Sequence, residues 1–300
     1  MMNRVTVLGS INLDTTIRMK RLPQPGETVH SHELFSSGGG KGANQAIAAQ
    51  RSNAKTYFIG AVGNDDAGKM LLELLSQDGV DTLGIRTLEN ERTGTAIVMV
   101  DDSAENSIII YSGANMKIQL NKVAKSTIKQ SDFLLSQFEI NTNVIVEAFQ
   151  LARDASVKTV LNPAPASSAI SKELLNNTDI FIPNKSEAEI ITGIKIESME
   201  DLKKAGKIIQ QYGIELVIIT LGEKGSYFLH DNGEGIVAAQ VVKAVDTTAA
   251  GDTFIGALSS VLKKDYSNLE EAIQYASRAS AMTVQRFGAQ PSIPYAKEIF

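Results

Sequence analysis

Short apolar runs and amphipathic segments alternate along most of the chain and predict a large α/β layer. The first run, Arg4–Leu8, is rich in β-branched residues and ends at a Gly-Ser pair, as expected of a buried strand that enters a loop. From about residue 118 the alternation is regular, with strands predicted over 133–136, 158–161, 180–182 and 216–219 and helices over 143–154, 171–176, 187–192 and 199–211. Such alternation predicts a mostly parallel central sheet with helices on both faces, a three-layer α/β fold.

A second group of extended segments has no helix between its paired members. Segments 14–19 and 28–35 are joined by a proline-rich turn, and segments 95–100 and 107–111 by the polar loop 101–106. These four strands predict a small separate sheet, a β-lid formed by inserted segments at about 14–36 and 94–113. Because no internal repeat or low-complexity linker interrupts the chain, we expect one domain over residues 1–300.

The amino-acid composition excludes several classes of function. The 300 residues are 43% apolar and 21% charged, close to the average of folded proteins, and the net charge of −5 argues against a nucleic-acid surface. The absence of cysteine excludes disulfides, thiolate metal sites and cysteine nucleophiles. We find no signal peptide and no apolar stretch near the ~18–20 residues of a membrane span, and therefore expect a cytoplasmic protein without a membrane partner.

Carboxylate and amide side chains follow several of the predicted strands. Asn12 and Asp14 follow the first strand, Glu139 follows 133–136, and Asn184 with Glu187 follows 180–182. In open α/β sheets, ligands bind at this carboxyl edge. Each position alone is better explained as a turn or helix-cap residue. Together they indicate a site for a small polyol, whose hydroxyls need paired hydrogen-bond donors and acceptors.

The glycine-rich segment 37–44 admits several interpretations. It is not a Walker A loop, because no Ser or Thr follows its Gly-Lys pair. Its glycine spacing fits a dinucleotide fingerprint loosely without directly following the first strand, so a nicotinamide dehydrogenase is an alternative that rests on this pattern alone. The glycines would let the backbone approach a ligand that Lys41 and Asn44 could hydrogen-bond. A plain helix-opening turn is the other interpretation.

Segment 244–254 places small residues and a carboxylate at the start of a predicted helix. Ala249, Ala250 and Gly251 would leave free N–H groups at the helix N-terminus, which is a natural anion site. Asp252, in the first turn, could simply cap the helix. A carboxylate beside an anion cradle is also what phosphoryl transfer needs, since the N–H groups stabilise the migrating charge and the carboxylate accepts the proton of the attacking hydroxyl.

In order and spacing, these motifs resemble the phosphofructokinase-B family of carbohydrate kinases over essentially the whole chain. Segments 9–14 and 39–45 match its amino-terminal sugar signature, 246–254 matches its carboxyl-terminal signature, and the tail 288–292 is typical of its ribose-specific members. The resemblance implies the family's α/β fold with a β-lid, and ATP-dependent phosphorylation of D-ribose at its 5-hydroxyl. A kinase for another small sugar or nucleoside, and a non-catalytic nucleotide- or sugar-binding protein, are the alternatives.

The resemblance also implies roles for individual residues. Asp252 would be the base, and Ala249, Ala250 and Gly251 would form the anion hole. The implied sugar ligands are Asn12, Asp14, Gly40, Lys41, Asn44 and Glu139, together with Asp252. The implied nucleotide and phosphate ligands are Asn184, Glu187, Thr220, Gly222, Gly225, Gly251 and Ser277, with Glu187 acting indirectly on Mg²⁺. The implied K⁺ loop comprises Asp246, Thr248, Thr283, Arg286, Gly288 and Ser292. The lid would also pair two subunits in a homodimer.

Overall fold

The structure is a computed structural model that describes residues 2–103 and 106–299. Within those residues the strands are Arg4–Leu8 (β1), Asn12–Met19 (β2), Ser31–Gly39 (β3), Lys55–Gly63 (β4), Asp81–Leu88 (β5), Gly94–Val100 (β6), Asn106–Tyr111 (β7), Phe133–Gln137 (β8), Lys158–Asn162 (β9), Ile180–Phe181 (β10), Leu216–Thr220 (β11), Ser226–His230 (β12) and Gly233–Val237 (β13). The α-helices are Lys41–Arg51 (α1), Asp66–Gln77 (α2), Lys122–Lys129 (α3), Thr142–Asp154 (α4), Lys172–Asn176 (α5), Lys185–Thr192 (α6), Met199–Gln210 (α7), Ala250–Val261 (α8) and Leu269–Thr283 (α9).

The larger sheet has the strand order β13-β12-β11-β10-β9-β8-β1-β4-β5. Its strands pair in parallel except at the β11-β12-β13 edge, where the pairing is antiparallel. Alternate residues of β8 enter separate cores on the two faces: Phe133 and Leu135 pack with α1, α8 and α9, whereas Leu134 packs with α3, α4 and α7. A strand buried on both faces needs a continuous apolar sequence, which is why these strands were predictable. The predicted three-layer α/β fold is confirmed.

The smaller sheet has the strand order β3-β2-β6-β7 and forms the lid. It is mixed, because β2 pairs antiparallel with β3 but parallel with β6. Strand β3 extends beyond the predicted 28–35, since Gly38 and Gly39 continue the ladder opposite Leu13 and Asn12. Ala104 and Glu105 of the predicted polar loop lie outside the described residues.

Two elements of the large layer were not predicted from the sequence. Strand β5 lies at the sheet edge and is mostly half-buried, so it lacks the continuous apolar run of the central strands. Helix α3 is only eight residues long and buries only Ala124 and Ile128, so its apolar face rests on two residues one turn apart. Among the helices of the described residues, none is both long and apolar enough to cross a lipid bilayer.

Candidate active site

A cleft of about 430 Å³ opens between the carboxyl edge of the large sheet and the lid. Four apolar lid residues, Ala96, Val98, Ile108 and Ile110, line one side of it. Most of the residues expected to hold sugar and phosphate line the rest: Asn12, Asp14, Gly40, Lys41, Asn44, Glu139, Asn184, Glu187, Thr220, Ala249, Ala250, Gly251 and Asp252. Thr248, expected in the K⁺ loop, also reaches this lining. A wider surface depression of about 670 Å³ between α4, α5 and the end of α7 contains none of the expected residues.

Asp252 lies in the first turn of α8 and is nearly buried, with 7% of its surface exposed. The helix begins after Ala249, whose φ of 60° is left-handed, and no side chain caps it. The Asp252 carboxylate instead accepts hydrogen bonds from the side-chain amides of Asn44 and Gln45, each over 3.0 Å. The capping interpretation of Asp252 is therefore wrong, and the helix N-terminus is left open towards the cleft.

Gln45 is a member of the site that the sequence did not single out. It is fully buried, and its side-chain oxygen accepts a hydrogen bond of 2.6 Å from Gln137 at the end of β8. Its nitrogen is thereby directed to Asp252. The available sequence signals were indirect, because Gln45 ends the matched segment 39–45 and Gln137 follows a predicted strand.

Gly40 brings the N-terminus of α1 against the loop that follows β1. Its φ is 89°, and a Cβ atom there would lie 2.9 Å from both the Asn12 nitrogen and the Ser10 carbonyl oxygen, so only glycine fits. The main-chain nitrogen of Lys41 then donates to Glu139 over 3.0 Å, and the Ser10 hydroxyl donates to the same carboxylate over 2.5 Å. Because α1 follows lid strand β3 rather than β1, the glycine pattern is not a dinucleotide fingerprint.

The cleft carries an excess of negative charge. Lys41 is surrounded by Asp252, Glu139, Glu187 and Asp14, and their attraction, led by Asp252, raises the pKa of the lysine. Burial, reinforced by Glu139 and Asp252, raises the pKa of Asp14 to about 7. Burial also raises the pKa of Glu187. The lysine and four carboxylates suit a neutral polar ligand, whereas a polyphosphate would need additional positive charge.

Asn184 and Glu187 are held by a reciprocal pair of hydrogen bonds at the start of α6. The Asn184 side chain accepts from the Glu187 nitrogen, and the Glu187 carboxylate accepts from the Asn184 nitrogen, each over 2.8 Å. Thr220 pairs with Asn184 in an isolated parallel bridge. Of the remaining expected nucleotide residues, Gly251 lines the cleft, whereas three lie outside its lining: Gly222 and Gly225 are in the β11–β12 turn, and Ser277 is buried in α9.

The residues expected to bind K⁺ lie on two segments that touch each other, the loop that precedes α8 and the stretch from the last residue of α9 to Ser292. The Asp246 carboxylate accepts from the Thr248 nitrogen over 2.9 Å, from the Thr248 hydroxyl over 2.6 Å and from the Gly288 nitrogen over 2.9 Å. The side chains of the remaining three bond elsewhere: Thr283 to Thr253, Arg286 to Glu298 and Ser292 to the Ala289 carbonyl.

Sequence and structure comparisons match this chain to carbohydrate kinases over nearly its whole length. The family described as pfkB family carbohydrate kinase matches residues 2–296. A ribokinase of Staphylococcus aureus (strain COL) is 43% identical over 302 residues, covering 100% of this chain and 99% of that protein. A deoxyribokinase of Salmonella typhi is 30% identical over 292 residues, covering 97% and 95%. The solved structure of Arabidopsis thaliana ribokinase complexed with ribose and ATP has a TM-score of 0.94 at 32% identity, covering 100% and 98%. This chain therefore belongs to the pfkB family and is a carbohydrate kinase.

Proposed function

We propose that this enzyme transfers the terminal phosphoryl group of ATP to the 5-hydroxyl of D-ribose. The similarity to the S. aureus ribokinase and to the Arabidopsis ribokinase that was solved with ribose and ATP supports the substrate pair. The observation that carries the proposal is the placement of Asp252. Its carboxylate is buried at the open N-terminus of α8 and faces a cleft lined by hydroxyl-binding groups.

Asp252 would act as the general base. The amides of Asn44 and Gln45 occupy one lone pair on each carboxylate oxygen, so the carboxylate is held in one plane and keeps further lone pairs for a substrate hydroxyl. As the oxygen of that hydroxyl attacks the γ-phosphorus of ATP, its proton passes to Asp252, the new P–O bond forms, and the bond from the γ-phosphorus to the β–γ bridging oxygen breaks to release ADP. Ala249, Ala250 and Gly251 would stabilise the charge of the transferring phosphoryl group through the α8 N-terminus, and Lys41 would add positive charge beside it.

Asn12, Asp14, Gly40, Lys41, Asn44 and Glu139 would hold the sugar, since all six line the cleft. The nucleotide would extend from Asn184, Glu187 and Thr220 towards Gly222, Gly225 and Ser277. Among the described residues, no three His, Asp or Glu side chains are grouped to hold a metal. A carboxylate at Glu187 nevertheless fits Mg²⁺, which typically binds one or two carboxylates and substrate phosphates. When bound with ATP, Mg²⁺ would offset the repulsion between the polyphosphate and the acidic cleft.

A K⁺ ion would bind between the loop of Asp246 and Thr248 and the carboxyl-terminal tail. The donors fit an alkali cation, because Thr283, Arg286, Gly288 and Ser292 can each supply a main-chain carbonyl oxygen and Asp246 a charged one. The two loops are already joined by the hydrogen bond from Gly288 to Asp246. The ion would add electrostatic support to the peptide groups that lead into α8.

The lid, formed by strands within about 14–36 and 94–113, would close over the sugar and pair two subunits. Large apolar side chains remain exposed on both of its faces, with Ile108 at 55% and Ile109 at 57% exposure. Exposed apolar strands at a sheet edge are normally covered. We place the reaction in the cytoplasm, where ATP is available, and treat residues 1–300 as one domain.

The experiment that tests this function is ATP consumption measured with a panel of pentoses, hexoses and nucleosides. D-Ribose should give the highest kcat/KM. The 30% identity to a deoxyribokinase makes 2-deoxy-D-ribose the competing substrate that matters most. Faster turnover of 2-deoxy-D-ribose, fructose or adenosine would overturn the substrate while leaving a kinase. No ATP consumption with any of these acceptors, despite measurable sugar binding, would instead favour a non-catalytic binding protein.

A further inference from the structure

Asn115 lies directly behind the sugar-facing side chain of Asn12. It belongs to the short 3-10 helix Gly113–Lys117 that follows β7, and only 1% of its surface is exposed. Its side-chain oxygen accepts from the Ile11 nitrogen over 3.0 Å. Its side-chain nitrogen donates to the Ile11 carbonyl over 3.2 Å and to the Asn12 side-chain oxygen over 2.8 Å. Asn115 is thus fixed at both ends by the residues that lead into β2.

These contacts determine the orientation of both amides. A main-chain N–H can only donate and a main-chain carbonyl can only accept, so Ile11 specifies which end of the Asn115 amide faces each group. The Asn115 nitrogen therefore lies next to Asn12, which must present its own oxygen there. The remaining polar atom of Asn12, its NH₂ group, is left for the cleft that this residue lines.

Gly94 leaves the space that this arrangement needs. A Cβ atom at position 94 would lie 2.9 Å from the Ile11 carbonyl oxygen and would overlap the Asn115 nitrogen and the Asn12 oxygen. Gly94 is paired with Asn12 across the lid ladder, so a larger residue there would displace the two amides. The backbone of β6 thus helps to preserve the contact between Asn115 and Asn12.

We propose that Asn115 is a positioning residue that makes Asn12 a hydrogen-bond donor to the sugar. The proposal rests on the proposed sugar kinase function. Asn12 and Asp14 are alternate residues of β2 and face the same side, so the cleft presents an N–H donor beside a carboxylate acceptor. A hydroxyl can satisfy both groups at once, because its oxygen accepts from one and its hydrogen is donated to the other. A sugar that lacks this hydroxyl leaves both groups unpaired.

The test is a double-mutant cycle with Asn12→Ala, Asn115→Ala and the double variant. The substrates are D-ribose, 2-deoxy-D-ribose and 3-deoxy-D-ribose. For one of the two deoxy sugars, the kcat/KM of the wild-type enzyme should be lower than its kcat/KM for D-ribose by about tenfold or more. Such a factor is the usual cost of leaving buried polar groups unpaired. Each single variant should abolish most of that difference by lowering kcat/KM for D-ribose, with little change in the KM for ATP. The double variant should discriminate no worse than Asn12→Ala alone, because Asn115 acts through Asn12.

Asn115→Asp supplies a second variant of nearly the same shape. Its carboxylate can still accept from the Ile11 nitrogen but, when ionised, has no N–H for Asn12, so discrimination should fall as in Asn115→Ala. Asn177→Ala is the matched control, since Asn177 is buried, donates to the Glu173 carbonyl and lies outside the cleft lining. This control should keep the wild-type sugar preference even if its melting temperature falls.

The positioning role would be overturned if either Asn115 variant kept the wild-type preference for D-ribose over its deoxy analogue. It would also be overturned if the double variant lost kcat/KM for D-ribose by the combined factors of the two single variants. If Asn115→Ala does not fold, the Asn115→Asp comparison decides. If the wild-type enzyme phosphorylates a different sugar instead of D-ribose, the proposed substrate is wrong, and the same cycle with that sugar and its deoxy analogues still tests Asn115.

Discussion

The Gln45 side-chain nitrogen lies 3.0 Å from one carboxylate oxygen of Asp252, while the Gln45 oxygen lies 2.6 Å from the amide nitrogen of Gln137. An amide held at both ends cannot turn over without losing both hydrogen bonds. Gln45 therefore fixes the orientation of the Asp252 carboxylate. Asn44 holds the other carboxylate oxygen over 3.0 Å. In this way α1 connects the proposed sugar-binding residues at its N-terminus to the proposed base on α8.

Replacing Asp252 should abolish turnover but spare sugar binding. A positioned base contributes about 10²–10⁴-fold to rate, so Asp252→Asn should lower kcat by that factor. The NH₂ of an asparagine would face one of the two amides that donate to Asp252, so Asp252→Ala is needed as a second variant. The measurements are kcat from ATP consumption and sugar affinity from calorimetry. A variant that keeps more than a tenth of the wild-type kcat contradicts the role.

Gln45→Met should lower kcat with a much smaller effect on the KM for the sugar. Methionine has a similar length but cannot donate to Asp252, and a hydrogen bond to a charged group contributes about 1.5–3 kcal/mol. We therefore expect kcat to fall by about tenfold or more. Gln150→Met, on the exposed surface of α4, is the matched control and should behave like the wild type. A loss confined to sugar KM would show that Gln45 does not act through Asp252.

Sugar affinity should depend on pH through Asp14. Its carboxyl has an ordinary pKa of 3.8, which burial and the neighbouring Glu139 and Asp252 raise to about 7. If ionised Asp14 accepts a sugar hydroxyl, affinity should increase as the pH rises from 5.5 to 8, with a midpoint near 7. Calorimetry on Asp14→Asn should give weaker binding without that midpoint. Equal wild-type affinity at both ends of this range contradicts the assignment.

The same carboxyl has a predictable effect on stability. A raised pKa means that the folded protein binds the Asp14 proton more tightly than the unfolded chain does. This tighter proton binding stabilises the folded state. The stabilisation is fully present below pH 3.8 and is lost as the pH rises through about 7. Asp14→Asn removes a carboxylate that is costly to bury, so its melting temperature should exceed that of the wild type at pH 8 by more than at pH 5. The opposite order would show that ionised Asp14 is stabilised by its surroundings.

K⁺ should activate the enzyme, with Na⁺ a poor substitute. The donors expected from the tail are mostly carbonyl oxygens set by the backbone, so the smaller Na⁺ would be coordinated less completely. Rates are compared in K⁺, Na⁺ and choline buffers of equal ionic strength, and thermal unfolding reports K⁺ binding independently of turnover. Asp246→Ala should remove both responses. Equal rates and equal melting temperatures in the three wild-type samples would exclude the site.

The lid should hold a homodimer together. Light scattering is expected to give twice the chain mass. Ile109→Asp should shift the protein towards the monomer, because Ile109 is exposed on the lid face opposite to the one whose Ile108 and Ile110 line the cleft. Leu83→Asp is the control, because Leu83 is 78% exposed on edge strand β5 outside the lid. A fully active wild-type monomer at assay concentration contradicts the dimer.

The central strands were predictable because burial on both faces leaves a continuous apolar run, as in β8 and β11. The polar residues at strand ends were predictable because parallel strands bring their carboxyl ends to one edge. Edge strand β5 gave no such signal. The hydrogen bond from Gln45 to Asp252 joins residues 207 positions apart, and that from Asn115 to Asn12 joins residues 103 apart. Local patterns do not specify such contacts, which arise only when the helices and the lid pack on the sheet.

The position of the phosphate in the product is the most direct test of the proposed reaction. The purified enzyme is incubated with ATP, Mg²⁺ and D-ribose, and the sugar phosphate is identified by phosphorus and proton nuclear magnetic resonance. We expect ribose 5-phosphate to form in step with ADP, and no product above background with Asp252→Ala. Ribose 1-phosphate as the product, or ribose 5-phosphate formed by Asp252→Ala at the wild-type rate, would contradict the proposed reaction.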